Sequence, residues 1–199
     1  WDIMWNEDYA KQIFVLDSQR DAIGMALKKL GYSLNTTDIN ELNEAKEALI
    51  EQRELSLTWG ADEVQDLILS GEVAIAMIWS GEGLNLAAEH ENLEYIIPKE
   101  GANYWIDSCA IPYNAKEKEM AENFINFVSG KDEAFRIADE IGYTSPNKLT
   151  IEMQDEEVRN NKFAYLEGDI LEKSEVYKYL NQEELKLYDE IWTIVKTAN

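Results

Sequence analysis

The sequence predicts an α/β fold with a mainly parallel sheet. Short apolar runs, Ile13–Leu16 and Val73–Trp79, have the length of buried strands. Other stretches carry apolar residues at helical spacing, such as Ile23, Leu27 and Leu30. The two kinds of segment alternate, as in βαβ units. A chain of 199 residues, 45% apolar, can bury a core in one large domain or two small lobes.

Taken in order, Ile13–Leu16 reads as a strand ended by Asp17-Ser18. A helix over 20–30 follows, closed by Gly31. Thr37-Asp38 precedes a second helix with Ile39, Leu42, Ala45 and Leu49 on one face. Leu55–Trp59 reads as a short strand. Asp62 opens a helix through Val64, Leu67 and Ile68, stopped by Ser70-Gly71. Val73–Trp79 is the clearest buried strand, and Ser80-Gly81-Glu82-Gly83 turns into a helix up to about Glu89. Leu93–Pro98 reads as a further strand and Tyr104–Pro112 as an extended segment. Ala115–Val128 is expected to be a helix with Met120, Phe124, Phe127 and Val128 inward. A helix over Asp132–Ile141, a loop over Gly142–Asn147 and a helical tail over Gln182–Lys196 complete the chain.

Composition excludes several functions. The single cysteine, Cys109, rules out a disulfide framework and multi-cysteine metal sites. The single histidine, His90, rules out a histidine-based zinc site; set among Glu89, Glu91 and Asn92, it reads as a surface residue. A net charge of −22 argues against nucleic acid and anionic membrane surfaces, and permits a cationic partner. No apolar run approaches the ~18 residues of a membrane span. The opening residues are not a signal peptide. They read as mid-domain sequence without an initiator methionine, so the chain is expected to be a fragment whose localisation signals have been removed.

Catalytic motifs find no support. Gly81-Glu82-Gly83 lacks the third spaced glycine of a dinucleotide loop, and Ser80 lacks the first glycine of a nucleophile elbow. No calcium-loop pattern accompanies the 40 acidic residues, and no metal or cofactor is expected. Aromatic–acid pairing offers more. Trp105 and Asp107, two apart on an extended segment, point to one face. A carboxylate beside a ring makes a seat for an ammonium, the ring adding ~0.5–2 kcal/mol when desolvated. The same spacing also suits an edge strand with a packed tryptophan and a solvent-facing acid. Trp79 ends a strand, where α/β sheets bind ligands, or is simply the last core residue. Asp21 follows the strand 13–16, but Ser18-x-x-Asp21 also has the spacing of a capping box. Acid or tryptophan at three strand ends favours a cation-binding cleft.

These residues fall within stretches that resemble the spermidine/putrescine-binding receptors of bacterial polyamine ABC transporters. The stretches are Asp17–Asp21, residues 24–38 (GMALKKLGYSLNTTD), 70–83 (SGEVAIAMIWSGEG), 97–116 (IPKEGANYWIDSCAIPYNAK), 141–147 (IGYTSPN) and 187–192 (LYDEIW). The resemblance corresponds to the C-terminal part of such a receptor. It implies a periplasmic-binding-protein-like, two-lobed fold, with this chain covering most of the second lobe and a segment of the first. Residues 1–105 would belong to the second lobe, 106–151 to the first, and 152–199 would return to the second. By resemblance, Trp79 and Trp105 stack along the polyamine, Asp107 pairs with an amine, Asp21 matches a glutamate that grips one end, and Tyr143 lines the cleft. Ser18 stands where many members carry an aspartate, which removes a charge partner from one terminal amine. Tyr177 falls near a glutamine that some members use.

The resemblance implies a non-enzymatic receptor, periplasmic or lipid-anchored at the outer face of the membrane, that delivers polyamine to a permease. The physics agrees: at an effective dielectric of roughly 20, a carboxylate at ~4 Å contributes about 4 kcal/mol of Coulomb energy. Each methylene buried on a ring adds ~0.8 kcal/mol. Alternatives are a receptor for another small cation, a carboxylate-based hydrolase, or an acidic interaction domain. Residues 106–151, separated from the rest of their lobe, would leave apolar helix faces uncovered, so that the chain either self-associates, as by exchange of this segment between protomers, or holds the segment in a non-native packing.

Overall fold

The fold was obtained as a computed structural model, which describes residues 1–198. The chain forms two compact units. The first comprises residues 1–78, 97–105 and 167–199, and the second 79–96 and 106–166.

The first unit is built on a three-stranded parallel sheet. Strand β1 (Ile13–Leu16) lies between β2 (Ser56–Gly60) and β3 (Ile75–Ala76). All four residues of β1 are buried, as a central strand covered on both faces requires. Helix α1 (Gln19–Leu30) follows β1 and ends at Gly31, whose φ of 85° is the left-handed cap expected of glycine there. Helix α2 (Ile39–Leu55) starts where Asp38 accepts from the Asn40 and Glu41 amides. It buries Leu42, Ala45 and Leu49. Helix α3 (Val64–Leu69) leads into β3. Beyond the second unit, α9 (Gly168–Lys173) and α10 (Gln182–Thr197) return to this unit. Asn181 and Glu184 close a capping box at the start of α10. Ile23, Leu27, Leu42, Leu49, Leu180, Tyr188, Ile191 and Val195 form the core with Ile13 and Val15.

The second unit contains α4 (Ser80–Glu89), α5 (Lys118–Val128), α6 (Lys131–Ile141), α7 (Lys148–Met153) and α8 (Glu156–Arg159). Its buried apolar residues are few, Leu86 and Ala138. Among the described residues it has no strand. No helix among the described residues is long and apolar enough to cross a membrane.

Several expectations need correction. Val73–Trp79 gives a strand only at Ile75–Ala76, where the chain pairs with Ile13 and Phe14 of β1; the residues on either side leave the ladder. Leu93–Pro98 forms no strand; near the extended segment 104–112, Asn103 makes an isolated bridge to Glu175. The helix expected from Asp62 begins at Val64. Ile39, in the first turn of α2, is 47% exposed rather than inward. Met120, Phe124 and Phe127 are 68%, 61% and 60% exposed. The half-buried side of α5 is instead Ala121, Ile125 and Val128.

Candidate ligand-binding site

In the first unit, the end of β1 delivers Ser18 to the N-cap of α1 and Asp21 to its first turn. The spacing of a capping box is present, but the box is not made: Ser18 forms no side-chain cap bond. Its hydroxyl donates instead to Asp21 Oδ2 at 2.6 Å. The Tyr177 hydroxyl lies 3.0 Å from Asp21 Oδ1 and 2.8 Å from the Arg20 carbonyl oxygen. Ser18, Asp21 and Tyr177 are thus brought together, with Asp21 half-buried. Burial, then the Asp21 charge and hydrogen bond, push the Tyr177 hydroxyl well above its ordinary pKa. It is a phenol, and hence a donor, throughout the physiological range.

Arg20 joins this cluster, a role that nothing in the sequence pattern signals. Its guanidinium lies 4.4 Å from the Tyr177 ring centroid and 4.9 Å from that of Tyr188. One terminal nitrogen reaches the Leu34 carbonyl and Asn35 Oδ1, both at 3.3 Å, while Nε is buried without a hydrogen-bond partner. The two ring faces therefore supply much of its stabilisation. Gly24, one turn further along α1, makes room for the cluster: a Cβ there would stand 2.9 Å from the Tyr177 hydroxyl. A glycine inside a helical pattern is the one signal of this packing that the sequence offers.

A second cluster fastens the return segment. Glu175 accepts from Lys28 Nζ at 2.6 Å, Ser33 Oγ at 2.5 Å and the Leu34 amide at 3.1 Å. Burial alone would raise its pKa, but the Lys28, Ser33 and Leu34 hydrogen bonds outweigh it and hold the carboxyl down to about 2. Trp105, also in this unit, is 39% exposed.

In the second unit, Trp79 occupies the N-cap of α4 and is half-buried. Gly81 and Glu82 form the first turn of that helix. The Tyr143 ring packs against Gly81 so closely that any Cβ there would run into the ring. Burial, and then the Glu82 charge, raise the Tyr143 pKa; a hydrogen bond with the Gly81 backbone opposes this and the Asp107 charge adds to it. Tyr143 and Asp107 therefore share one electrostatic neighbourhood with Glu82, a residue that no sequence motif singles out. Asp107 is exposed, on a segment without regular structure. The Glu82 and Asp107 charges, which add to the effect of burial on this phenol, also favour a cation nearby.

The family of bacterial extracellular solute-binding proteins matches residues 1–163. The chain is 37% identical over 175 residues to the spermidine/putrescine-binding periplasmic protein of Salmonella typhimurium, covering 88% of this chain and 50% of that protein. It is 35% identical over the same length to the Escherichia coli protein of that name, with the same coverage. Among solved structures, the spermidine/putrescine ABC transporter substrate-binding protein of Streptococcus pneumoniae superposes with a TM-score of 0.87 at 31% identity. That match covers 100% of this chain and 61% of the pneumococcal one. The chain spans about half the length of the curated relatives it matches. By the match over most of its length, this chain belongs to the bacterial extracellular solute-binding protein family.

Proposed function

We propose that the protein is the extracytoplasmic solute-binding component of an ABC transporter, capturing spermidine or putrescine for delivery to a membrane permease. The observation that carries this reading is the 37% identity, over 175 residues, to a spermidine/putrescine-binding periplasmic protein. The ligand set is an acidic, tryptophan-lined one: Asp21 and Asp107 pair with amines, Trp79 and Trp105 stack on methylenes and ammonium groups, and Tyr143 lines the site, with Ser18 and Tyr177 beside Asp21. Carboxylates alternating with aromatic rings match the alternation of charge and methylene along a polyamine. The protein works by binding and not by catalysis, either free in the periplasm or lipid-anchored at the outer face of the membrane.

The lobe assignment of residues 1–105, 106–151 and 152–199 belongs to the same reading. So does self-association of the 199-residue chain through the 106–151 segment, supported by the exposed Met120, Phe124 and Phe127. The test is calorimetric titration of the full-length gene product with spermidine, putrescine and arginine. Saturable binding of a polyamine with weaker or absent binding of arginine supports the reading. Binding of arginine alone points to a different small cation.

A further inference from the structure

We propose that Ser18 and Tyr177 are positioning residues: they act on the ligand through Asp21, holding its carboxylate in the binding pose before a cation arrives. The inference rests on the reading of Asp21 as an amine partner.

Ser18 has one hydroxyl proton, and it is committed to Asp21 Oδ2 at 2.6 Å, the short distance of a charge-assisted bond. The Tyr177 proton is shared between Asp21 Oδ1 at 3.0 Å and the Arg20 carbonyl at 2.8 Å. Each carboxylate oxygen therefore has one donor from the protein. A carboxylate offers about four acceptor positions, so roughly two remain for an ammonium group. The donors come from two sides, one from the N-cap of α1 and one from the segment preceding α10, so the side chain is braced against rotation.

Tyr177 is itself fixed. Its ring carries the Arg20 guanidinium at 4.4 Å, and that guanidinium is sandwiched against Tyr188 of α10. The Tyr177 hydroxyl reaches its place because Gly24 has no Cβ. All of these contacts are made within the chain, so they order Asp21 at no cost to the ligand. An aspartate at position 18 would contribute charge instead. Serine contributes orientation of the neighbouring charge, at the cost of part of its strength.

The test is a set of double-mutant cycles read by calorimetry with spermidine and putrescine on the full-length gene product. Ser18→Ala and Tyr177→Phe are made alone and in an Asp21→Asn background. Each is expected to weaken binding about three- to tenfold when the Asp21 carboxylate is present, and less than about twofold in the Asp21→Asn background. Equal losses in both backgrounds would overturn the proposal, since the hydroxyls would then act on the ligand directly or on the fold. Unchanged or tighter binding by the single variants would overturn it too. A second measurement is independent of any ligand: the crystal structure of the Ser18→Ala/Tyr177→Phe variant. Spread of Asp21 over several rotamers is expected, and an unmoved Asp21 would contradict the proposal. If the wild-type protein binds neither polyamine, the polyamine reading fails, while the rotamer result still decides whether Asp21 is positioned by these hydroxyls.

Discussion

Asp21 and Asp107 carry the same charge in different settings, so their substitutions are expected to differ. Asp107 is exposed and shares the Tyr143 neighbourhood with Glu82. On binding it would make a charge-assisted bond that desolvation strengthens. Asp107→Asn is expected to weaken spermidine binding by about 10- to 100-fold, the equivalent of one hydrogen bond to a charged group. Asp21→Asn should cost less, because the Ser18 and Tyr177 hydroxyls already withdraw part of its charge. Titration calorimetry of both variants checks the order, and two variants that bind like wild type would remove both acids from the ligand set. Asp21 was legible in the sequence as an acid just past a strand. Its partners were not, because Ser18 and Asp21 sit at capping-box spacing and Tyr177 lies 156 residues away in the chain. Spacing could reveal that the pair was close, but not that the serine would serve the carboxylate instead of the helix end.

Helix α1 concentrates the packing that the sequence under-reported. Gly24 breaks a good helical pattern, and alanine there would ordinarily stabilise a helix by about 1 kcal/mol. Here its Cβ would stand 2.9 Å from the Tyr177 hydroxyl and 3.0 Å from Leu34 Cδ2. Gly24→Ala is therefore expected to lower the melting temperature by a few degrees; a rise would show that Tyr177 is free to move aside. The same helix holds Lys28, which pairs with Glu175 at 2.6 Å. With a folded pKa of about 2 against an ordinary 4.5, Glu175 contributes stability that is fully present above pH 4.5 and lost as pH falls towards 2. That contribution is roughly 1–3 kcal/mol at neutral pH after allowance for partial exposure. Thermal melts of wild type and Glu175→Gln should differ most above pH 4.5 and converge towards pH 2. A difference that stays constant over that range would assign the carboxylate no linked proton. Helix α5 shows why periodicity alone misplaces a face. It has two apolar stripes, and Met120, Phe124 and Phe127, the bulkier one, is the stripe that faces solvent.

The whole molecule was the most legible level. The alternation of strands and helices up to α4 and the parallel sheet of the first unit both follow from periodicity. What periodicity could not supply was that β3 meets β1 only at Ile75 and Ala76, or the thin core of the second unit. That thin core leaves a large apolar surface, and light scattering on the 199-residue chain is expected to report a species larger than a monomer. A compact monomer would place the α5 face outside any interface. The net charge of −22 attracts cations, but screening limits its reach to about 8 Å at physiological salt, so specific affinity must come from the site itself. Calorimetric titration of the full-length gene product with spermidine and putrescine is therefore the most direct measurement. Saturable binding of at least one polyamine, abolished or strongly weakened by Asp107→Asn, is the predicted result; no polyamine binding, or binding indifferent to that substitution, would contradict the account.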